Sequence, residues 1–262
     1  MEIREQALRA LILNEWDEKS IILQTCTTSV PVDTERDFCE PHGIPGRPSR
    51  VELVPPTVVA HRSVHTTEGR AVLVHALAHI EFNAINLALD AVWRFPGMPE
   101  TYYRDWMQVA REESLHFGML SDHLQSMGHV YGDFPAHDGL WEMAMRTQDD
   151  LLARLALVPR TLEARGLDAS PLIRHKLASA GDKVGASLLD IILRDEIGHV
   201  AIGNRWFRWL CEQKQENPLD AYERLACLYR APKLKGPFNV KARLEAGFDE
   251  SEIERLQSSQ HA

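Results

Sequence analysis

Residues 71–92 read AVLVHALAHIEFNAINLALDAV, an apolar run in which one acid, Glu81, stands where helical spacing puts the core. The positions one and two turns from it on the same face are Val74, Leu77, Ala78, Ala84, Ile85 and Ala88. A carboxylate buried alone in such surroundings costs several kcal/mol even after relaxation, so this face asks for a cation. His75, His79, Glu81 and Asp90 interrupt the run too often for an ordinary membrane span. His75, His79, Asn83, Asn86 and Asp90 form a second stripe, 200° around from Glu81 in the case of His79. That stripe reads as a polar face turned to solvent or to a neighbouring helix, and its order is not that of a zinc-binding HExxH.

Outward from this run the pattern stays helical for over 140 residues. Stop signals predict helices over 70–94, ended by Pro96-Gly97, over 100–127, ended by Gly128, and over 139–165, ended by Gly166. Gly181 and Gly185 mark a break before a last long helix at 183–213, and a smaller helix follows near 219–229, before an extended PKLKGPFN segment and a short terminal helix. Ahead of the run, an amphipathic helix is expected at 2–15. Six of the fourteen prolines (Pro31, Pro41, Pro45, Pro48, Pro55, Pro56) then make 27–67 an extended arm. Long helices with short connections and almost no strand signal predict an all-α chain. The expected organisation is an antiparallel four-helix bundle over 67–214, an N-terminal helix and arm over 1–66 packed on it, and a C-terminal extension over 215–262.

Two segments of the bundle match each other, REESLH at 111–116 and RDEIGH at 194–199. Each contains Glu-x-x-His, and residues three apart lie about 60° apart around a helix, so both side chains can meet one metal ion. Glu113 has Trp106, Val109, Ala110, Phe117 and Leu120 on its face; Glu196 has Leu189, Ile192, Leu193, Val200 and Gly203. Both glutamates therefore point into the core. The spacing of Glu81 from Glu113, carried to Glu196, leads to Glu163 on the third helix, with Asp149 as the alternative. The expected ligands are Glu81, Glu113, His116, Glu163, Glu196 and His199, one glutamate from each of two helices and Glu-x-x-His from each of the others. That is the ligand arrangement of ferritin-like di-metal proteins. Four carboxylates balance two divalent ions, and oxygen and imidazole donors without thiolate suit iron, manganese or a mixed pair. Glu112 and Asp195 are expected to accept hydrogen bonds from the ligand histidines.

With 29 basic and 38 acidic residues the chain carries a net charge of −9, which disfavours nucleic acid and acidic membranes. The one basic segment, Arg230 to Arg243, is the place where an RNA or acidic partner would bind, and a solvated tail is the simpler reading. Four sparse cysteines and an acidic N-terminus suggest a reducing, cytoplasmic setting. Tyr102, Tyr103 and Trp106 precede Glu113 at helical spacing and read as packing rather than as redox groups.

PGRP at 45–48, HIEFNAINLALD at 79–90, EARGLD at 163–168, DEIGHV at 195–200 and KGPFNVKARLEAGF at 235–248 resemble the uncharacterised bacterial family called domain of unknown function 455, within the ferritin-like superfamily. The resemblance spans nearly the whole chain, and it favours Glu163, within EARGLD, over Asp149. It implies no reaction. A fold-level likeness links the expected bundle to the ferritin-like tRNA-modifying hydroxylase, and fold does not transfer function. The leading expectation is a di-metal, di-iron by preference, oxidase or oxygenase that uses O2 on a small-molecule or nucleoside substrate. The alternatives are a ferroxidase or metal-handling protein and a bundle that metal only stabilises. A homodimer is compatible with all three.

Overall fold

The computed structural model describes residues 1–27, 29–58 and 62–258. It is all-α: among these residues there are eleven α-helices and one π-helical turn, and the only bridge pairing is an isolated one between Leu53 and Ala136. The chain divides into two compact units, Met1–Trp141 and Glu142–Ala262.

The first unit is built on a helical hairpin, α3 (Thr67–Arg94) and α4 (Glu100–Ser126), preceded by α1 (Ile3–Ile12) and α2 (Trp16–Thr25). Thr66 caps α3 by accepting from the Gly69 amide, and the Ser63 carbonyl comes so close that Gly69 has no room for a Cβ. Gly97, at φ 79°, makes the turn to α4. Helix α3 is long and apolar enough to cross a membrane by composition, yet 72% of its apolar window is buried inside the folded chain. Tyr102 and Tyr103 are fully buried and bond the carbonyls of Ala91 and Phe95, which makes them packing residues as the sequence suggests. The sequence reading gives one helix before the arm, whereas the structure has two, because Lys19 on α2 is drawn under α1. Its Nζ donates to the carbonyls of Ala10 and Leu11 and to Asn86 Oδ1. Arg4 is likewise fully buried, with its guanidinium spent on five backbone carbonyls, those of Val92, Trp93, Asp33, Thr34 and Arg36. The described residues of the arm are nonhelical as its prolines require, and Gly46 presses on the end of α1, its amide donating to the Leu11 carbonyl at 2.8 Å.

The polar stripe of α3 is turned to protein rather than to solvent, to a neighbouring helix at Asn86 and to loops at His75, His79 and Asn83. His75, His79, Asn83, Asn86 and Asp90 are all buried rather than solvated. Four of their partners come from outside the helix: Gly132 N on His75, Tyr131 Oη on His79, Arg47 on Asn83 and Lys19 on Asn86; the fifth, Arg94 on Asp90, is one turn further along α3. Helix α2, the arm and the 127–138 loop together supply donors where water would otherwise be needed.

The second unit holds α6 (Leu151–Leu157), a π-helical turn (Val158–Glu163), α7 (Ala164–Ser179), α8 (Lys183–Lys214), α9 (Pro218–Leu228), α10 (Val240–Glu245) and α11 (Glu250–Ser258). The α5 helix (Gly139–Arg146) carries the chain into it. The single helix expected at 139–165 is thus broken. Thr147 Oγ1 turns back to the carbonyls of Met143 and Ala144, and Asp150 restarts the helix by accepting from the Ala153 amide. Pro159 has no N–H for the α pattern and its ring crowds the preceding turn, so the helix widens into the π form there. Gly166 ends nothing: helix continues to Ser179, and the real stop is Gly181, at φ 85°. Asp182 then caps α8 through the Gly185 amide. Opposite the π turn, a Cβ on Gly203 would lie 2.6 Å from Pro159 Cβ, so α8 can pass only as glycine.

Candidate metal centre

In the first unit, Glu81 on α3 and Glu113 and His116 on α4 converge in a buried core. Helical spacing puts them there, because every apolar neighbour predicted for the two glutamates is buried. His116 Nδ1 lies 3.2 Å from Glu113 Oε2 and 3.4 Å from Glu81 Oε2. One ligand atom from each of the three falls within 4.8 Å of the others, close enough for a single ion. Burial alone would depress the imidazole, but hydrogen bonds to Glu113 and Glu81, and their charges, outweigh it and lift His116 to about 11. The two carboxylates thus favour the protonated imidazole between them. A divalent cation would meet the same three side chains. Two carboxylates and an imidazole, with no thiolate, fit a hard or borderline cation such as iron or manganese. A buried cluster of this kind can hold a metal ion.

The second unit repeats half of this pattern. Glu196 and His199 are buried on α8, with His199 Nδ1 3.9 Å from Glu196 Oε1. On the same face Leu189, Ile192, Val200 and Gly203 are buried as the sequence predicts, and Leu193 is only partly buried. Glu163 closes the π turn and is half-buried. Asp149 is exposed in the turn before α6. Glu112 and Asp195 are both half-buried; Gln108 donates to Glu112 at 3.0 Å, and Arg194 holds Asp195 at 2.8 Å.

The basic segment is smaller than the sequence suggests. Arg230, Lys233, Lys235 and Lys241 are exposed, but Arg243 is buried. Its Nε and Nη2 grip the two Asp168 oxygens at 3.0 and 2.6 Å, and the Phe238 and Phe248 rings each lie 5.2 Å from the guanidinium carbon. Asp168 also accepts from the Asn239 amide. EARGLD and KGPFNVKARLEAGF are therefore two halves of one buried clamp. Arg160, absent from any sequence-based expectation, is a second buried arginine, stacked 4.1 Å from the centre of the Phe207 ring. Its only sequence signal was its position next to Pro159 in an otherwise apolar run.

The chain belongs to the family described as protein of unknown function DUF455, whose model matches residues 6–254. It is 49% identical over 214 residues to a Haemophilus influenzae protein described as uncharacterized, covering 79% of this chain and 74% of that protein. No solved structure matches the chain.

Proposed function

We propose that Glu81, Glu113, His116, Glu163, Glu196 and His199 together hold two metal ions, iron by preference, and that the protein is an O2-dependent oxidase or oxygenase. The observation that carries this reading is the buried cluster of Glu81, Glu113 and His116, whose Glu-x-x-His recurs, buried again, at Glu196 and His199. Two ferrous ions there would supply electrons to O2, with the substrate or a reductant providing the remainder. The protein's own residues set the conditions. Glu81 and Glu113 bring the charge that draws a cation inward, and His116 gives up its proton on loading, so binding is coupled to proton release. Phe117, Val109, Ala110 and Leu120 keep water from the carboxylates. Glu112 and Asp195 are proposed to steady the ligand histidines.

The experiment is rapid mixing of the ferrous-loaded protein with O2, followed by absorbance. Oxidation that waits on, or is strongly accelerated by, an added substrate pool supports an oxygenase. Fast turnover of excess ferrous iron to ferric product without substrate would instead make it a ferroxidase, and no oxidation would leave a structural metal.

A further inference from the structure

The second unit contains a cavity of about 350 Å³ that the metal reading does not use. It lies among the π turn, α9, the 231–234 segment, α10 and α11, and its size is at the low end for small-molecule sites, about 300–1,000 Å³. Leu219, Ala226, Pro232 and Leu234 give it apolar walls, and Tyr222 and Phe248 add aromatic faces.

Arg160 lines the same cavity and is 3% exposed. Its Nε donates to Asn204 Oδ1 and its Nη2 to Glu252, but Nη1 is buried with no acceptor. Glu252 does not belong to Arg160 alone, because Arg208 Nη2 takes its other oxygen at 2.6 Å. Burial pulls Arg160 below the ordinary arginine value, and Glu252 only partly opposes it. The other charges lining the cavity are Lys233, Arg243, Arg255 and Glu223. Asp168 cancels Arg243, Glu223 pairs with Arg255 and Glu252 with Arg160, so the lining keeps one positive charge in excess, that of exposed Lys233. A buried N–H without an acceptor costs about 1–3 kcal/mol. Water would take the hydrogen bond, yet it would neither balance the charge nor suit the apolar walls. Two carboxylates on the lining also set a limit, since they would repel a dianion.

We propose that this cavity binds a small monocarboxylate with an apolar body, its carboxylate bonded to Arg160 and its body packed against Tyr222 and Phe248.

The test is titration calorimetry on the full chain with octanoate, decanoate, 3-phenylpropionate and indole-3-propionate, each beside its neutral amide. At least one acid should bind at least about tenfold tighter than its amide. Arg160→Gln should abolish that difference. Because this variant removes a buried stack and can unfold the unit, Ala226→Trp serves as the second variant. It fills the cavity from α9, away from the buried arginine, and should weaken the acid at least about tenfold with helical circular dichroism unchanged. The proposal is overturned if no acid binds at about 1 mM, if amides bind as well as acids, or if folded Ala226→Trp binds like the wild type.

Discussion

Replacing Glu81 by glutamine in the metal-free protein should bring the His116 pKa down from about 11 to about 8. The carboxylate oxygen of Glu81 stands 3.4 Å from His116 Nδ1. At an effective dielectric constant near 20, a unit charge at that distance is worth about 5 kcal/mol, equivalent to roughly three to four decades of proton affinity. The amide returns part of this as a hydrogen bond, while Glu113, at 3.2 Å, keeps its own share. Ring-nitrogen NMR of His116 between pH 5 and 12 reads the change directly. The same shift has a stability sign. A histidine raised from 6.5 to about 11 by folding contributes stability that is complete below pH 6.5 and lost as pH climbs toward 11. Metal-free wild type should therefore weaken across that whole interval through His116, and Glu81→Gln should confine the loss to its lower part. A wild-type His116 titrating near 6.5, or a variant still titrating above 10, would refute the paired-carboxylate reading of the cluster.

Asp168→Ala should cost about 3–5 kcal/mol in urea unfolding, because it strands buried Arg243; a loss below about 1 kcal/mol would show that the clamp is not what holds α10 to the unit. Burial lowers Lys19 to about 7, with Arg47 adding to the effect, so the unfolded chain holds that proton more tightly. Its contribution to stability thus rises as pH goes from 7 to 10.5, and the wild-type-minus-Lys19→Met difference in unfolding free energy should rise with it. A flat difference would mean that Lys19 stays charged against its three acceptors. Glu81→Ala should lose tight binding of at least one metal ion, and chelation of the wild type should lower its Tm, since a ligand confined to the native state stabilises by mass action. Retention of two ions by Glu81→Ala, measured by elemental analysis, would remove the first member of the ligand set.

The signals that succeeded in the sequence were local and redundant. Pro96-Gly97, Gly128 and Gly181 stop helices because their backbone requirements do not depend on context, and the α3, α4 and α8 boundaries fall within a few residues of expectation. Glu81 was legible because an acid among six apolar neighbours has few explanations, and in the structure it does meet an imidazole. What stayed hidden depended on distant partners. The stripe of His75, His79, Asn83, Asn86 and Asp90 looks the same in sequence whether water or protein covers it, and its cover comes from Lys19, Arg47 and Tyr131, remote in the chain. Arg243 looked like part of a basic tail because Asp168 lies 75 residues away. The break at Thr147–Asp150 and the π turn at Pro159 did have local signs. The apolar pattern running through them was the stronger signal, and it masked the Thr147 back-bond and the missing Pro159 N–H that decide the outcome.

The most direct measurement is the metal content of the purified chain after anaerobic reconstitution with ferrous iron or manganese and removal of loosely held ions. Six ligands from two Glu-x-x-His segments and two further glutamates predict two ions per chain, with manganese competing for the same places. One ion or fewer would contradict a di-metal centre.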